Sequence, residues 1–561
     1  MRRGWIACVA VALGCLVAAP SAQAAFTVSG TASPTDPTSG ANSNFNININ
    51  FGGGPSADES VKDLIVHLPP GLVGDPGAAP LCTVAQLNGD NCPDNSQLGT
   101  VTSNVTVIGL LTQDVNGQLY NLVPQPGEPA RFGIVLRPLD NILPKTILQS
   151  GARLRKTDFG LDSVVNGIPN ESGGLDLQVN SQNLTLFGKA PTGKAFLRNP
   201  TSCGTQTTGF SATSHGGESD NAESSFALSG CQSLPFKPEL TATLGSPDHT
   251  AVATKPPLTT VIEQQDGEAG LERAVVLLPA LVGADPPKLG VTCPRPQFAT
   301  STCPPSTIVG DARAQSPLLA EPLTGSVSIV EPAGPGQLPN LGVDLKGPLA
   351  IQLLGDFMVA PVGNVFEGLP DIPISRFRLT FQQDNLVLTS RDLCAPPPPE
   401  FGTDFTGYNG VNRSGSVEAQ IAGCTPSVEV RLGKARSKHP RMTAKVDGGG
   451  STLRRVKLKL PRQLKFGGKR AFKRGAKATG DDATPRQAAL AARDRSLKLR
   501  GRGRSLKLKA RNGANTLKIK ARKRALKRVK KLKKGRKLRF KTTIEDVGGF
   551  TTKLKPRAKA R

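Results

Sequence analysis

Aromatic side chains are scarce in this chain of 561 residues: one tryptophan (Trp5), two tyrosines (Tyr120 and Tyr408) and 21 phenylalanines. Any core must therefore be built from Val, Leu, Ile and some Phe. A surface for stacking sugar rings or nucleobases would be poorly furnished. Histidine is rarer than in most enzymes, with only His67, His215, His249 and His439. None stands in a His-Glu-x-x-His pattern, no Gly-x-Ser-x-Gly elbow occurs, and no glycine-lysine pair continues into a phosphate-binding loop. No two cysteines are spaced Cys-x-x-Cys and no histidine lies at ligand spacing from one, so neither a zinc site nor any cofactor is expected. His215-Gly216-Gly217-Glu218 is the one local base-and-carboxylate pair, and a solvated turn explains it equally. The acid pairs Asp481-Asp482 and Glu545-Asp546 sit among cations, where charge balance accounts for them. A glycosidase can draw two carboxylates from distant strands and leave no local motif, so a polysaccharide hydrolase stays open as an alternative.

Beyond the first residues no run reaches the ~18 apolar positions of a membrane span. The start itself has the form of a secretory signal. Arg2 and Arg3 precede an apolar stretch from Trp5 to Ala19, and small residues at Ala22 and Ala24 predict cleavage between Ala24 and Ala25. That segment, 1–24, takes Trp5, Cys8 and Cys15 with it, leaving eight cysteines in an exported chain. An even number in an oxidising compartment reads as a disulfide framework.

Glycine and proline are abundant, 61 and 47 residues, which favours short strands and many turns. Asn44 to Phe51 alternates Asn with Phe45, Ile47, Ile49 and Phe51, a strand with one apolar face. Val61 to Gly99 and Leu271 to Gly310 share one pattern: an apolar strand, a proline stop, two cysteines with nine residues between them, a proline and then a glycine. This is an internal repeat. Each copy ends on a wider cysteine pair, so the domains are expected at 25–232 and 233–425, with 426–561 as a third. The duplicated spacing pairs Cys82 with Cys92, Cys203 with Cys231, Cys293 with Cys303 and Cys394 with Cys424. Swapped pairing within one copy is the rival. Leu175–Val179 and Leu184–Phe187 are matched with Phe377–Phe381 and Leu386–Leu388 of the second copy.

The third region differs in charge. From Arg431 to Arg561 there are 47 Lys and Arg against 6 Asp and Glu, an excess of +41 within a chain whose net charge is +27. Such a run is often partly flexible, but three segments alternate with period two: Leu497–Arg500, Leu506–Lys509 and Leu517–Lys520. Asn512-Gly513 predicts a hairpin between the last two. Lys498, Lys507, Lys509, Lys518 and Lys520 then project from one side as a polyanion-binding face. A helix start is expected at Thr484–Gln487, a short basic helix over Ala525–Leu532, and a closing hairpin through Gly548-Gly549.

The Leu68-Pro69-Pro70-Gly71-Leu72-Val73-Gly74 stretch, its cysteine loop and Leu119-Tyr120-Asn121-Leu122 resemble uncharacterised large secreted repeat proteins of high-GC Gram-positive bacteria, over roughly residues 25–425. The end, Ile544 to Leu554, is similar to the last strands of bacterial immunoglobulin-like modules. The resemblance implies secretion and β-rich modularity and names no activity. The expected molecule is all-β: tandem sandwich modules, immunoglobulin-like or jelly-roll-like, strung as beads and followed by a basic β-rich domain. It is expected to be secreted, associated with the cell surface and non-enzymatic. Its basic end would hold anionic cell-envelope polymers, with an extracellular nucleic-acid binder as a further alternative and sequence-specific nucleic-acid reading disfavoured.

Overall fold

The computed structural model describes residues 25–54, 56–107, 111–138, 144–481, 497–511, 513–533 and 535–560. The signal segment and the Thr484–Gln487 helix start lie outside them. The protein is all-β, with sandwich- and barrel-like sheets.

The first sheet is built from β1 (Thr27–Pro34), β2 (Phe45–Gly52), β3 (Val61–His67), β4 (Gln97–Val107), β5 (Leu111–Leu122), β6 (Arg131–Arg137), β7 (Thr146–Leu154), β8 (Leu161–Val165), β9 (Leu175–Leu186), β10 (Gly204–Ser214) and β11 (Ser219–Leu228). Across the sheet they run β11-β10-β3-β8-β7-β6-β5-β4-β9-β2-β1, each neighbour antiparallel. The second sheet contains β12 (Glu239–Leu244), β13 (Leu258–Glu263), β14 (Leu271–Leu277), β15 (Ile308–Gln315), β16 (Leu323–Val330), β17 (Asn340–Lys346), β18 (Ile351–Val359), β19 (Val362–Phe366), β20 (Arg376–Phe381), β21 (Glu400–Gly407) and β22 (Asn412–Glu418). Its order is β22-β21-β14-β19-β18-β17-β16-β15-β20-β13-β12, the first order with eleven added to every strand number. The internal repeat is thus a repeated fold. The one addition is Gln420–Ile421, which pairs in parallel with β12.

Alternation decides which face goes inside. Phe45, Ile47 and Ile49 of β2 are buried with Val28, Leu64, Val66 and Phe210, while the asparagines between them face outward. The two edges of the first sheet meet. Phe26 donates its backbone N–H to Glu218 Oε2, just ahead of β11, and Val28 to Asp220 Oδ2 of β11, both at 2.8 Å, and Ala32 donates to Ser224 Oγ at 3.0 Å. Side chains therefore satisfy an edge that would otherwise be an unpaired row of donors.

Register also explains the shared glycines. Gly99 and Gly310 stand where the ladder shifts by one residue, and a Cβ at either would press into the carbonyl of Thr185 or Thr380 on the neighbouring strand. The same register sets Leu186 and Phe381 as counterparts, each beside its glycine. Leu184–Leu186 thus corresponds to Leu379–Phe381. The match to Leu386–Leu388, made on apolar spacing alone, is corrected.

The third unit is a two-sheet sandwich. One sheet orders β23 (Ser427–Gly433), β24 (Arg441–Asp447), β29 (Thr516–Ala521) and β26 (Ala476–Asp481); the other orders β27 (Leu497–Arg502), β28 (Ser505–Ala510), β25 (Leu453–Lys459), β30 (Lys541–Asp546) and β31 (Thr551–Leu554). Between them lies one aliphatic core that includes Ala444, Val446, Val456, Leu458, Leu506, Leu508, Leu517, Ile519 and Ile544. The expected hairpin at Gly548-Gly549 forms between β30 and β31. Asn512 of the turn expected at Asn512-Gly513 lies outside the described residues, and the strands on either side of it do not pair as a hairpin. β28 and β29 pair with other strands in different sheets, because β28 buries Leu506 and Leu508 beside β25 while β29 closes the opposite layer. Nor is Ala525–Leu532 a helix. Leu526–Arg528 is a strand paired with Leu464–Phe466, which puts Leu526 in the sandwich core and leaves Val529, a member of the expected helical face, 50% exposed.

The units are not independent beads. Hydrogen bonds join the first repeat to the second (Thr201 to Asp371, buried) and the second to the sandwich, where Gly423 N–H reaches Asp546 Oδ2 at 2.9 Å and the buried Cys424 N–H reaches Ser451 Oγ at 2.7 Å.

Candidate polyanion-binding face

The outer face of the β27-β28-β25-β30-β31 sheet follows from its inner one. With Leu506 and Leu508 buried, Lys507 and Lys509 must point out. Register then sets cation opposite cation. Lys498 lies opposite Lys509, which lies opposite Arg455; Arg500 lies opposite Lys507, which lies opposite Lys457; Lys459 lies opposite Lys541. Lys553 continues the middle row beyond Thr543. Glu545 is the one acid at these register positions, and Arg455 holds it at 2.6 Å. Strands about 4.8 Å apart give a two-dimensional lattice of positive charge. Like charges directly opposite one another destabilise a sheet, so the sheet's own stability does not explain this arrangement.

The five lysines expected on one side are divided. Lys498, Lys507 and Lys509 belong to this face, whereas Lys518 and Lys520 lie on β29, whose outward side is the other face of the sandwich. The cause is the sheet crossover between β28 and β29. On that second face Lys518 stands beside Lys445 and Lys520 beside Lys477, but acids intervene. Glu429 pairs with Arg431 at 2.5 Å and Asp447 with Lys445 at 3.7 Å. The hydrogen bond from Arg431, and then its charge, hold the exposed Glu429 carboxyl below its usual range. The unneutralised lattice is therefore the first face.

The structure joins Cys82 to Cys92, Cys203 to Cys231, Cys293 to Cys303 and Cys394 to Cys424. Each close pair closes a loop that carries a short helix. In the first loop Thr83 caps the helix Val84–Asn88 with a full capping box to Gln86, and Leu87 is set down on Gly133. In the second the helix Arg295–Ala299 sets Phe298 on Gly342. In each repeat a glycine at the same place in the sheet, Gly133 of β6 or Gly342 of β17, is thus the floor under the cysteine loop.

One constellation has no local signal in the sequence. His67 Nδ1 lies 2.8 Å from Asp162 Oδ1, and His67 Nε2 lies 3.0 Å from Ser211 Oγ. These are the distances of a Ser-His-Asp relay, assembled from β10, β3 and β8 across 95 and 144 residues of chain. Its hydrogen bonds run the other way. The Ser211 hydroxyl donates to Asn221 Oδ1 at 2.6 Å instead of to the imidazole, and Asp162 also receives Arg155 Nη1 at 2.7 Å. The neighbouring strands spend their backbone donors on each other, leaving no oxyanion cradle at Ser211. The network ties four strands, β11, β10, β3 and β8, together on their outer side. His215 and Glu218 are likewise structural: His215 Nε2 meets the Ile168 carbonyl at 2.8 Å, and Glu218 closes the sheet edge at Phe26.

Among the described residues no group of three or more His, Cys, Asp or Glu side chains is arranged to hold a metal ion. No described helix is long and apolar enough to cross a membrane.

No family model matches the chain, and no curated protein matches it. Solved structures similar to it include a tetra-tandem repeat from the extending region of a large adhesion protein, 8% identical with a TM-score of 0.17, covering 95% of this chain and 74% of that one. A membrane-anchored protein from Corynebacterium diphtheriae is 9% identical with a TM-score of 0.16, covering 96% and 95%. The Enterococcus faecalis MSCRAMM ACE, described as binding its ligands by a collagen hug, is 10% identical with a TM-score of 0.17, covering 58% and 95%. These neighbours are bacterial surface and adhesion proteins, and at such TM-scores the likeness carries no argument about this chain's activity.

Proposed function

We propose that this chain is a secreted, non-enzymatic protein of the cell surface or extracellular matrix. Its C-terminal sandwich holds anionic envelope polymers by charge, and the two repeats stand as a disulfide-stapled β scaffold. The observation that carries this reading is the row-on-row cation lattice of Lys498, Arg500, Lys507, Lys509, Lys457 and Lys459, with Glu545 as the lone acid among them. A sheet face of this kind offers no pocket and no base-reading geometry. It attracts phosphate or carboxylate polymers through long-range field and release of counterions. Four disulfides fit an oxidising compartment outside the cytoplasm.

The test is fractionation of cells that express the full chain or a Lys457→Glu/Lys459→Glu/Lys507→Glu variant. The wild-type protein is expected in the envelope fraction and should be released by roughly half-molar salt, where the Debye length falls to a few ångströms. The variant is expected in the medium. Retention of the variant as firm as that of the wild type would overturn the electrostatic anchor.

A further inference from the structure

The interior of the second repeat is not filled. A cavity of about 170 Å³ lies among the inward side chains of its sheet, lined by carbon, as at Leu271, Val276, Leu353, Phe377 and Leu379. A void of this size forfeits dispersion contacts all around its wall. An apolar cavity of about 150 Å³ stays dry and admits a benzene-sized guest. Val362 lines the cavity and is 40% exposed, and its register partner Val359 is 70% exposed, so the β18–β19 end presents an apolar mouth to solvent.

One polar group inside has nothing to bond. Asn364 lines the cavity, but both its amide atoms are packed away over Gly355, out of reach of water from either side, and have no hydrogen-bond partner among the described residues. The first repeat shows how the same position is normally satisfied. By register, Ser163 of β8 stands where Asn364 stands in β19, and Ser150 of β7 stands where Gly355 stands in β18. Ser150 and Ser163 hydrogen-bond each other at 2.7 Å. In the second repeat the partner has become a glycine, and the Asn364 side chain lies across it. A buried amide left unpaired is costly, and here the cost falls on the wall of a cavity with a mouth.

We propose that the second repeat binds a small, neutral, single-headed apolar molecule. Its hydrocarbon part fills the cavity, and its amide, hydroxyl or carbonyl head bonds to Asn364 once that side chain turns off Gly355 toward the guest. The head is uncharged because no Lys, Arg, His, Asp or Glu lines the cavity to compensate a buried ion. Size follows from the volume: a ring or an alkyl chain of about six carbons, slightly more than the benzene that ~150 Å³ admits.

Saturation-transfer NMR on the full chain with hexanamide, hexanoate and toluene tests this. Hexanamide and toluene should bind saturably, with hexanoate at least tenfold weaker at neutral pH. Asn364→Leu should weaken hexanamide at least fivefold while leaving toluene unchanged or tighter. Ala314→Phe, which fills the space, should abolish binding of both and raise the thermal midpoint. The proposal is overturned if wild type binds none of the three saturably, if hexanoate matches hexanamide, or if Asn364→Leu leaves the hexanamide-to-toluene ratio unchanged. Should Ala314→Phe fail to fold, the Asn364→Leu ratio decides alone.

Discussion

Thr201 of the first repeat donates its backbone N–H to Asp371 Oδ2 of the second at 2.7 Å, and its hydroxyl donates to the other oxygen of the same carboxyl. Gly270 N–H completes the cluster on Thr201 Oγ1 at 2.9 Å. Gly71, at φ +84°, packs so closely on Asp371 that a Cβ would sit 2.6 Å from Oδ2. The Leu68-Pro69-Pro70-Gly71 stop is therefore also a docking point between repeats. Burial pushes the Asp371 carboxyl above its usual range, and the Thr201 hydrogen bonds and the Arg198 charge pull it back only in part. Burial likewise lowers the Arg198 guanidinium. It also pushes Tyr408 up to about 12, with the Asp371 charge as the next cause.

This junction is expected to weaken as pH rises. The folded Asp371 holds its proton more firmly than the unfolded chain, where an aspartate titrates at about 3.9. Its contribution to stability is fully present below that value and is lost as pH climbs through the raised folded pKa. Asp371→Asn should remove this slope, since the amide still accepts from the Thr201 backbone and can donate to its hydroxyl. Asp371→Ala strands the buried Thr201 N–H at a cost of about 1–3 kcal/mol. Urea midpoints measured from pH 4 to pH 7 check both. An unchanged slope in Asp371→Asn would refute the assignment.

The cysteine loops should respond to their glycine floors. A Cβ at Gly133 would lie 2.6 Å from both Leu87 methyls, and one at Gly342 would lie 2.7 Å from the Phe298 ring. Gly133→Ala and Gly342→Ala are expected to cost about 1–3 kcal/mol by overpacking. Removing either close disulfide as a double Cys→Ala change should cost about 3 kcal/mol. Non-reducing peptide mapping that linked cysteines of different repeats would contradict the pairing.

What could be read from the chain was whatever had a short period or recurred in both copies, as the wide pairs Cys203–Cys231 and Cys394–Cys424 do. The Phe45–Ile49 alternation, the duplicated cysteine spacing and the Gly548-Gly549 turn each reside within a dozen residues, and each has its place in the fold. Partner choice is not local. Leu506–Lys509 and Leu517–Lys520 are near-copies in sequence, so nothing in either says that they occupy opposite layers. The helix expected over Ala525–Leu532 rested on a 3.6-residue pattern of only four apolar positions, and Phe466 supplied a β partner instead. The bare Asn364 and the His67–Asp162–Ser211 contacts depend on strands far apart in sequence and leave no trace in any window of it.

Ser211 is expected to behave as a structural serine. A fluorophosphonate probe should not label it, and Ser211→Ala should shift the unfolding free energy by about 1 kcal/mol, the net worth of an ordinary hydrogen bond. Labelling of wild-type protein that vanished in Ser211→Ala and in His67→Ala would reverse this reading and make the constellation a nucleophile relay.

The cationic face offers a test in which one substitution moves two measurements in opposite directions. Lys507 has Arg500 on one side and Lys457 on the other, all exposed. Lys507→Glu replaces two repulsions with two attractions, and cross-strand pairs of this sort are worth about 0.2–1 kcal/mol each. The variant should therefore unfold at a higher midpoint at low salt, with the gain fading as ionic strength rises. Binding should fall. On a polyphosphate column the full-length variant should elute at clearly lower salt, and the slope of log affinity against log salt should flatten, since each lost phosphate contact removes about 0.7–0.9 from it. Lys520→Glu on the opposite face serves as the control. Acids already offset that surface, so elution should move less than with Lys507→Glu. Equal shifts from the two changes would mean that bulk charge governs retention and that the lattice has no special part in it. A loss of stability in Lys507→Glu at low salt would mean that the registers opposing these cations are wrong.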